Sequence, residues 1–407
     1  FNLNNHNANN INNNLVNNVN NNKNIINNNN LNFNNVKVNN NMNIRNFHNN
    51  NFNKNFIDFN FENNFKNNNN DTNQNHSKLF DSYNDTISLI NSSFTNGLVN
   101  IGDNCCMNAT IQCLAHIKQL TNYILNFNYS NEVIDKKKYK LTYSYREILN
   151  NLWLNNNVND YSLNNFKDIM NEINPLFVKK QANDSKILVL FILEKMHIEL
   201  NKPDKNNQSN LLGTLNQYDY ETTFNTFKNR FDKNYNSIIS NLFYGIYNSE
   251  MTCSKCKVTI YITQCFNILI FPLEEVRKYK NRLNNTVDII ECFEYYRKQD
   301  FMKNSNQIYC NNCKIMSNCN NRAELIIGPN ILVINLNRGK GLEFNVKINF
   351  DEYLDIINFI YYKDSSPSFY ELIGIVTHFG PSSMSGHFIA FCKSFVDNQW
   401  YKYNDTQ

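Results

Sequence analysis

The alternation of apolar and polar positions changes character near Phe94. Beyond it, aromatic and aliphatic runs are separated by Asn-rich turns. After Asn104 the apolar residues Met107, Ile111, Leu114 and Ala115 recur at i, i+4, i+7 and i+8, predicting an amphipathic helix capped by Asp103 or Asn104. The stretch Ile187 to Leu200 is apolar around most of a helical circumference and predicts a buried helix, with Asp184 placed to cap it. Pro329 to Arg338 reads as a buried strand. Phe388 to Lys393 and Gln399 to Tyr403 read as two strands joined by a turn at Val396-Asp397-Asn398, so the return strand should bring Asn404 and Asp405 close to His387. Residues 1 to 80, about half of them Asn, show no sustained period of 2 or 3.6 and too little apolar surface to offset chain entropy. Residues 1–93 are therefore expected to be disordered low-complexity chain. Amide ladders could let this tract self-associate, but a neutral insertion is the simpler reading.

Composition narrows the function classes. The net charge of +4 is spread over 39 basic and 35 acidic side chains without a long basic block, so no nucleic-acid partner is expected. No run of 18 apolar residues occurs, and the start lacks a basic region followed by an apolar one, so neither a membrane span nor a signal peptide is expected. The chain does not begin with Met and reads as an internal piece, which leaves targeting open. Eleven cysteines form an odd set, and four of them fall as Cys253-x2-Cys256 and Cys310-x2-Cys313, a pattern that suits metal chelation better than disulfides. The sequons at Asn108 and Asn404 flank the candidate site, where a glycan would obstruct it. A reducing compartment, cytoplasmic or nuclear, fits both observations.

Cys105 falls in the first turn of the helix predicted after Asn104, where unpaired N–H groups and the positive end of the helix dipole stabilise a thiolate. Taken alone, a Cys at a helix start is more simply a small buried apolar residue. The surrounding string changes that. Gly97-Leu98-Val99-Asn100-Ile101-Gly102-Asp103-Asn104-Cys105-Cys106-Met107-Asn108, continuing into Ile111-Gln112-Cys113-Leu114, resembles the Cys box of the ubiquitin-specific proteases. The resemblance implies that Cys105 is the nucleophile and that Asn100 donates its side-chain amide to the oxyanion. Asp103, Asn104 and Cys106 depart from the family's usual Asn, Thr and Tyr. Cys106 is a rival thiol, but it sits about 100° around the helix from Cys105 and breaks the spacing from Asn100.

A Cys nucleophile needs a base, and the base a third group to orient it. The segment Tyr370 to Gly380 followed by Ser385-Gly386-His387-Phe388-Ile389-Ala390 resembles the family's His box, which selects His387 from seven histidines and leaves His378 a structural part. Trp400-Tyr401-Lys402-Tyr403-Asn404-Asp405 resembles the family's closing motif, in which Asn404 would orient the His and Asp405 assist. An Asn oxygen can accept the Nδ1–H bond, although it cannot neutralise an imidazolium.

Four thiolates from two Cys-x2-Cys pairs supply the ligand number and softness of a closed structural Zn2+ site, which would hold shape and perform no chemistry. Unrelated surface thiols are the alternative. The flanks Asn241 to Gly245 and Phe266 to Leu269 resemble the family's fingers, and Gln181 to Asn201 a degraded form of the box that positions the ubiquitin tail. There Asp184 is either a substrate-binding residue or simply a helix cap. The family implies an α+β papain-like cysteine protease fold: a thumb at 94–240, zinc-ribbon fingers at 241–328 and a palm at 329–407, the palm truncated at its C-terminus. The expected activity is hydrolysis after the terminal Gly of ubiquitin, with ubiquitin or ubiquitinated proteins as partners and no catalytic cofactor. A protease for another ubiquitin-like modifier and a catalytically silent ubiquitin-binding scaffold are the alternatives.

Overall fold

The computed structural model of the chain describes residues 96–406 apart from 103, 128–135, 155–160, 176–183, 204–217, 339–345 and 383–384. The expected low-complexity segment 1–93 lies outside the described residues, as do Asp103 and Gln181. Among the described residues α-helices come first: α1 (Cys105–Ala115), α2 (Lys118–Asn126), α3 (Lys140–Leu149), α4 (Asn164–Ile173), α5 (Ser185–Leu200), α6 (Tyr220–Asn234) and α7 (Ile238–Phe243). Strands dominate after Gly245, with α8 (Leu273–Tyr279) and α9 (Ile289–Arg297) between them, giving the α+β class expected.

Helices α1 to α5 and α7 pack because each presents apolar residues to the same core, whereas α6 buries Phe224 in a separate cluster with Ile246 and Ile326. Ile111 and Leu114 of α1, Leu120 and Ile124 of α2, Leu141 and Ile148 of α3, Phe166 and Met170 of α4, and Ile192, Leu193 and Met196 of α5 are all buried in one cluster. The start of α5 carries its own cap: Asp184 Oδ1 accepts from Lys186 N at 2.9 Å. Burial of α5 is less complete than its composition predicts. Its core face is covered, while Ile187 and Ile198 are exposed at 44% and 57%. At the other end of α5 the buried carboxylate of Glu199 accepts from Leu141 N and Thr142 N at 3.1 and 2.8 Å, satisfying donors that the first turn of α3 cannot pair within itself.

A four-stranded antiparallel sheet runs β2 (Thr259–Phe266), β1 (Gly245–Cys253), β8 (Cys319–Ile327), β5 (Asp300–Met302). A second core forms around α8 and α9, with Phe271, Phe293 and Tyr370 fully buried; near it β4 (Thr286–Asp288) pairs in parallel with β10 (Lys347–Asn349), and β11 (Tyr353–Asp355) pairs antiparallel with β12 (Phe369–Glu371). The segment expected as a buried strand over 329–338 is shorter than its apolar run. Only Ile334–Asn337 (β9) pairs, parallel to β3 (Leu269–Pro272), and its residues are half-buried or exposed.

The last sheet positions the site. β13 (Gly374–Ser382), β14 (Ser385–Lys393) and β15 (Trp400–Tyr403) form an antiparallel meander in which Ala390 pairs with Tyr403. This is the strand pair that the pattern over 388–403 predicts. Helix α1 packs across β14, and Ala390, Cys392 and Tyr403 share its core. The sulfurs of Cys113 on α1 and Cys392 on β14 lie 3.7 Å apart at that junction.

Candidate active site

Cys105 is the first residue of α1 and is half-buried, whereas its neighbour Cys106 is 1% exposed. Burial, followed by the charges of Cys105 and Asp184, pushes the Cys106 thiol far above its ordinary range, which disfavours the thiolate a nucleophile needs. The rotation of one helical position separates a sulfur at the surface from one in the core.

His387 lies near the start of β14, the strand against which α1 packs. The return strand β15 delivers Asn404, whose Oδ1 stands 2.6 Å from His387 Nε2. The bond uses Nε2, whereas the sequence suggested Nδ1. The difference matters chemically, because a neutral imidazole whose Nε2–H donates to Asn404 has Nδ1 as its acceptor nitrogen. His378 is packed against Phe388 with ring centroids 4.7 Å apart, and burial together with the neighbouring His387 holds its pKa below the usual histidine value.

Asp405 has a different job from its neighbour. Its carboxylate is 3.7 Å from His387 Nε2, longer than a hydrogen bond, but accepts from Asn108 Nδ2 at 2.8 Å and from Asn100 Nδ2 at 3.0 Å. Its backbone oxygen accepts from Leu98 N at 2.7 Å. The left-handed φ of 53°, a conformation Asp tolerates, lets one residue make all three contacts. Asp405 thus pins the strand end that carries Asn404 to the segment that carries Asn100. No local signal in the sequence announces that clasp, because its partners are distant along the chain.

Asn100 is held at both ends. Its Oδ1 accepts from Gly102 N at 3.1 Å and Asn104 N at 3.3 Å, which fixes the loop before α1. One amide hydrogen goes to Asp405, and the other has no partner among the described residues. Asp184, at the start of α5, caps that helix and lies close enough to Cys106 to raise its thiol pKa.

The four predicted ligand cysteines converge elsewhere. Cys253 ends β1, Cys256 follows in a turn, Cys310 ends β6 (Ile308–Cys310), and Cys313 precedes β7 (Ile315–Ser317). Their sulfurs all lie within 4.8 Å of one another, a spacing that a tetrahedral Zn–S4 centre can bridge. Cys313 N donates to Cys310 Sγ at 3.4 Å, and the Asn312 side chain with the Val258 N–H brings the Cys256 thiol down to about 6. The donor set fits structural zinc, because all four ligands are thiols and no position is left open.

A family model described as ubiquitin carboxyl-terminal hydrolase matches residues 96–407. Ubiquitin carboxyl-terminal hydrolase 2 of Bos taurus is 24% identical over 330 residues, covering 79% of this chain and 53% of its own length. Ubiquitin carboxyl-terminal hydrolase Usp2 of Drosophila melanogaster is 25% identical over 315 residues, covering 76% of this chain and 32% of its own. For ubiquitin carboxyl-terminal hydrolase 21 of Homo sapiens the identity is 23% over 332 residues, with 76% and 57% covered. The chain spans about half the length of the first of these relatives.

Proposed function

The chain belongs to the ubiquitin carboxyl-terminal hydrolase family, and from that premise we propose that it is a cysteine-type deubiquitinase cleaving the isopeptide or peptide bond after the C-terminal Gly of ubiquitin. The observation that carries this reading is the 2.6 Å contact between His387 and Asn404, on the strand pair against which the helix of Cys105 packs. His387 Nδ1 takes the thiol proton and the thiolate attacks the carbonyl carbon. The negative charge that develops on the carbonyl oxygen is met by the free amide hydrogen of Asn100 and by the N–H groups at the start of α1. The imidazolium returns its proton to the departing amine, and water then releases ubiquitin from the thioester. Asn404 keeps Nε2 protonated throughout.

The division of labour we assign is a helical thumb at 94–240, fingers at 241–328 held by zinc on Cys253, Cys256, Cys310 and Cys313, and a palm at 329–407. Zinc there supplies cohesion between turns that are far apart in sequence. Asp184 is assigned a part in seating the ubiquitin tail in addition to its cap. A reducing compartment, cytosol or nucleus, suits eleven cysteines none of which is in a disulfide.

Labelling with ubiquitin bearing a thiol-reactive electrophile at its C-terminus tests the proposal. An adduct is expected on the full chain and on Cys106→Ala, and none on Cys105→Ala. Well-folded protein that forms no adduct refutes the enzyme, and an adduct that survives Cys105→Ala but is lost in Cys106→Ala moves the chemistry to the other sulfur.

A further inference from the structure

Asn104 stands at the N-cap of α1, yet its side chain caps nothing. An Asn in this position ordinarily turns its Oδ1 onto the N–H two or three residues ahead, here that of Cys106 or Met107. Instead Asn104 Oδ1 accepts from Lys167 Nζ on α4 at 2.7 Å. The residue is 2% exposed, and its Nδ2 is buried without a partner among the described residues. An ammonium has three donors and no acceptor, so Lys167 selects the carbonyl end of the amide and repels the NH2 end. The charge-assisted bond offsets the orphaned Nδ2 and fixes which way Asn104 faces. Lys167 is itself well anchored. Its helix buries Phe166 and Met170, and the segment entering α4 is tied to the loop before α1 by Val99 N donating to Tyr161 O at 2.9 Å.

We infer that Lys167 is a positioning residue for the proposed hydrolysis: by holding Asn104 Oδ1 it keeps the N-cap side chain off α1 and leaves the first-turn N–H groups open to negative charge. Those groups face the thiolate before attack and the oxyanion after it, and a side-chain cap would compete for the same donors. The inference rests on the reading of Cys105 as nucleophile. Asn104 has φ −100° and ψ 1°, not the extended backbone of a side-chain cap, so the Lys167 bond and this backbone together withhold a good capping residue from capping.

The test uses the full chain with Lys167→Met, Lys167→Arg, Asn104→Ala and the double variant Lys167→Met/Asn104→Ala. Turnover of a fluorogenic ubiquitin C-terminal amide, affinity for free ubiquitin, and the rate at which iodoacetamide alkylates Cys105, followed by peptide mass spectrometry, are measured on each. Lys167→Met is expected to lower kcat about tenfold, a part of what removing an oxyanion donor costs, with KM and ubiquitin affinity within about twofold of wild type. Alkylation of Cys105 slows as well, and Lys167→Arg retains most of both rates. The double variant returns to the level of Asn104→Ala, because no carbonyl is left to cap the helix. Wild-type kcat in Lys167→Met, or losses that simply multiply in the double variant, overturns the inference. Should the unaltered chain fail to hydrolyse the ubiquitin amide, the proposed function falls, and the alkylation rates still decide on Lys167: equal rates in wild type and Lys167→Met overturn its role.

Discussion

Replacing Gly97 by Ala probes the clasp between the two halves of the site. A Cβ built on Gly97 would lie 2.2 Å from the Asp405 backbone oxygen and 2.4 and 2.5 Å from the Thr406 carbonyl carbon and Cα, where ordinary contact begins near 3.4 Å. All three obstacles are backbone atoms, so no side chain can swing aside. The 405–406 segment has to retreat by roughly 1 Å, which breaks the Leu98–Asp405 bond and strains the two that Asp405 makes to Asn100 and Asn108. One neutral bond is worth about 1 kcal/mol and the charged bonds somewhat more, discounted for the exposure of Asn100, so the loss is about 3–4 kcal/mol. For a folded unit of this size that lowers Tm by about 5 °C. Asn404 moves with Asp405, and a displacement near 1 Å in an orienting group slows turnover by about a hundredfold. Gly102 provides the control. A Cβ added at Gly102 meets no atom within 4 Å, so at φ +95° Gly102→Ala carries only backbone strain of about 1–2 kcal/mol. Thermal unfolding and the rate of ubiquitin-electrophile labelling report both effects. A Gly97→Ala protein with the Tm and labelling rate of wild type would falsify the clasp as described.

Three further outcomes are expected. Burial lowers the pKa of both His116 and His197 to about 4, so each stays neutral in the folded chain while the unfolded chain protonates near 6.5. Their contribution is complete above pH 6.5 and is lost as pH falls through 4. Urea denaturation should show about 2 kcal/mol less stability per histidine at pH 5 than at pH 7, a drop that shrinks in His116→Gln; equal pH dependence in that variant and wild type contradicts it. Asn404→Ala should lower kcat by about tenfold to a hundredfold with ubiquitin affinity unchanged, and undiminished turnover would remove Asn404 from the orienting role. Elemental analysis of the purified chain should find one zinc per molecule, absent from Cys310→Ser, and a folded, active, zinc-free chain would dispose of the metal site.

What the sequence discloses and what it withholds divide along distance. The helix over 105–115 is legible from four apolar positions, and the pair β14–β15 from alternation and a turn, because both are written in local periods. One step of helical rotation separates Cys105 from Cys106 in the sequence pattern, and the structure buries Cys106. The contacts of Asp405 with Asn100 and Asn108, the bond from Lys167 to Asn104, and the seat of Glu199 under α3 are set by packing between segments far apart. Nothing in the composition of those segments signals them. Asn104, one of the two residues expected to cap α1, does occupy its N-cap, but its side chain makes no capping bond and a lysine 63 positions away holds its oxygen.

The clasp between Leu98, Asn100 and Asp405 also sets a clock. Asn100 and Asp405 are 305 positions apart, so a ribosome adding about 5–20 residues per second needs about 15–60 s to make the second after the first. Through most of that interval neither His387 nor the carboxylate that seats Asn100 has been made. The ends must then find each other across a long chain, a late event in folding that depends on the intervening helices and sheets being in place. On the proposed mechanism, a chain still under synthesis carries the Cys105 thiol before His387, Asn404 and Asp405 have been made.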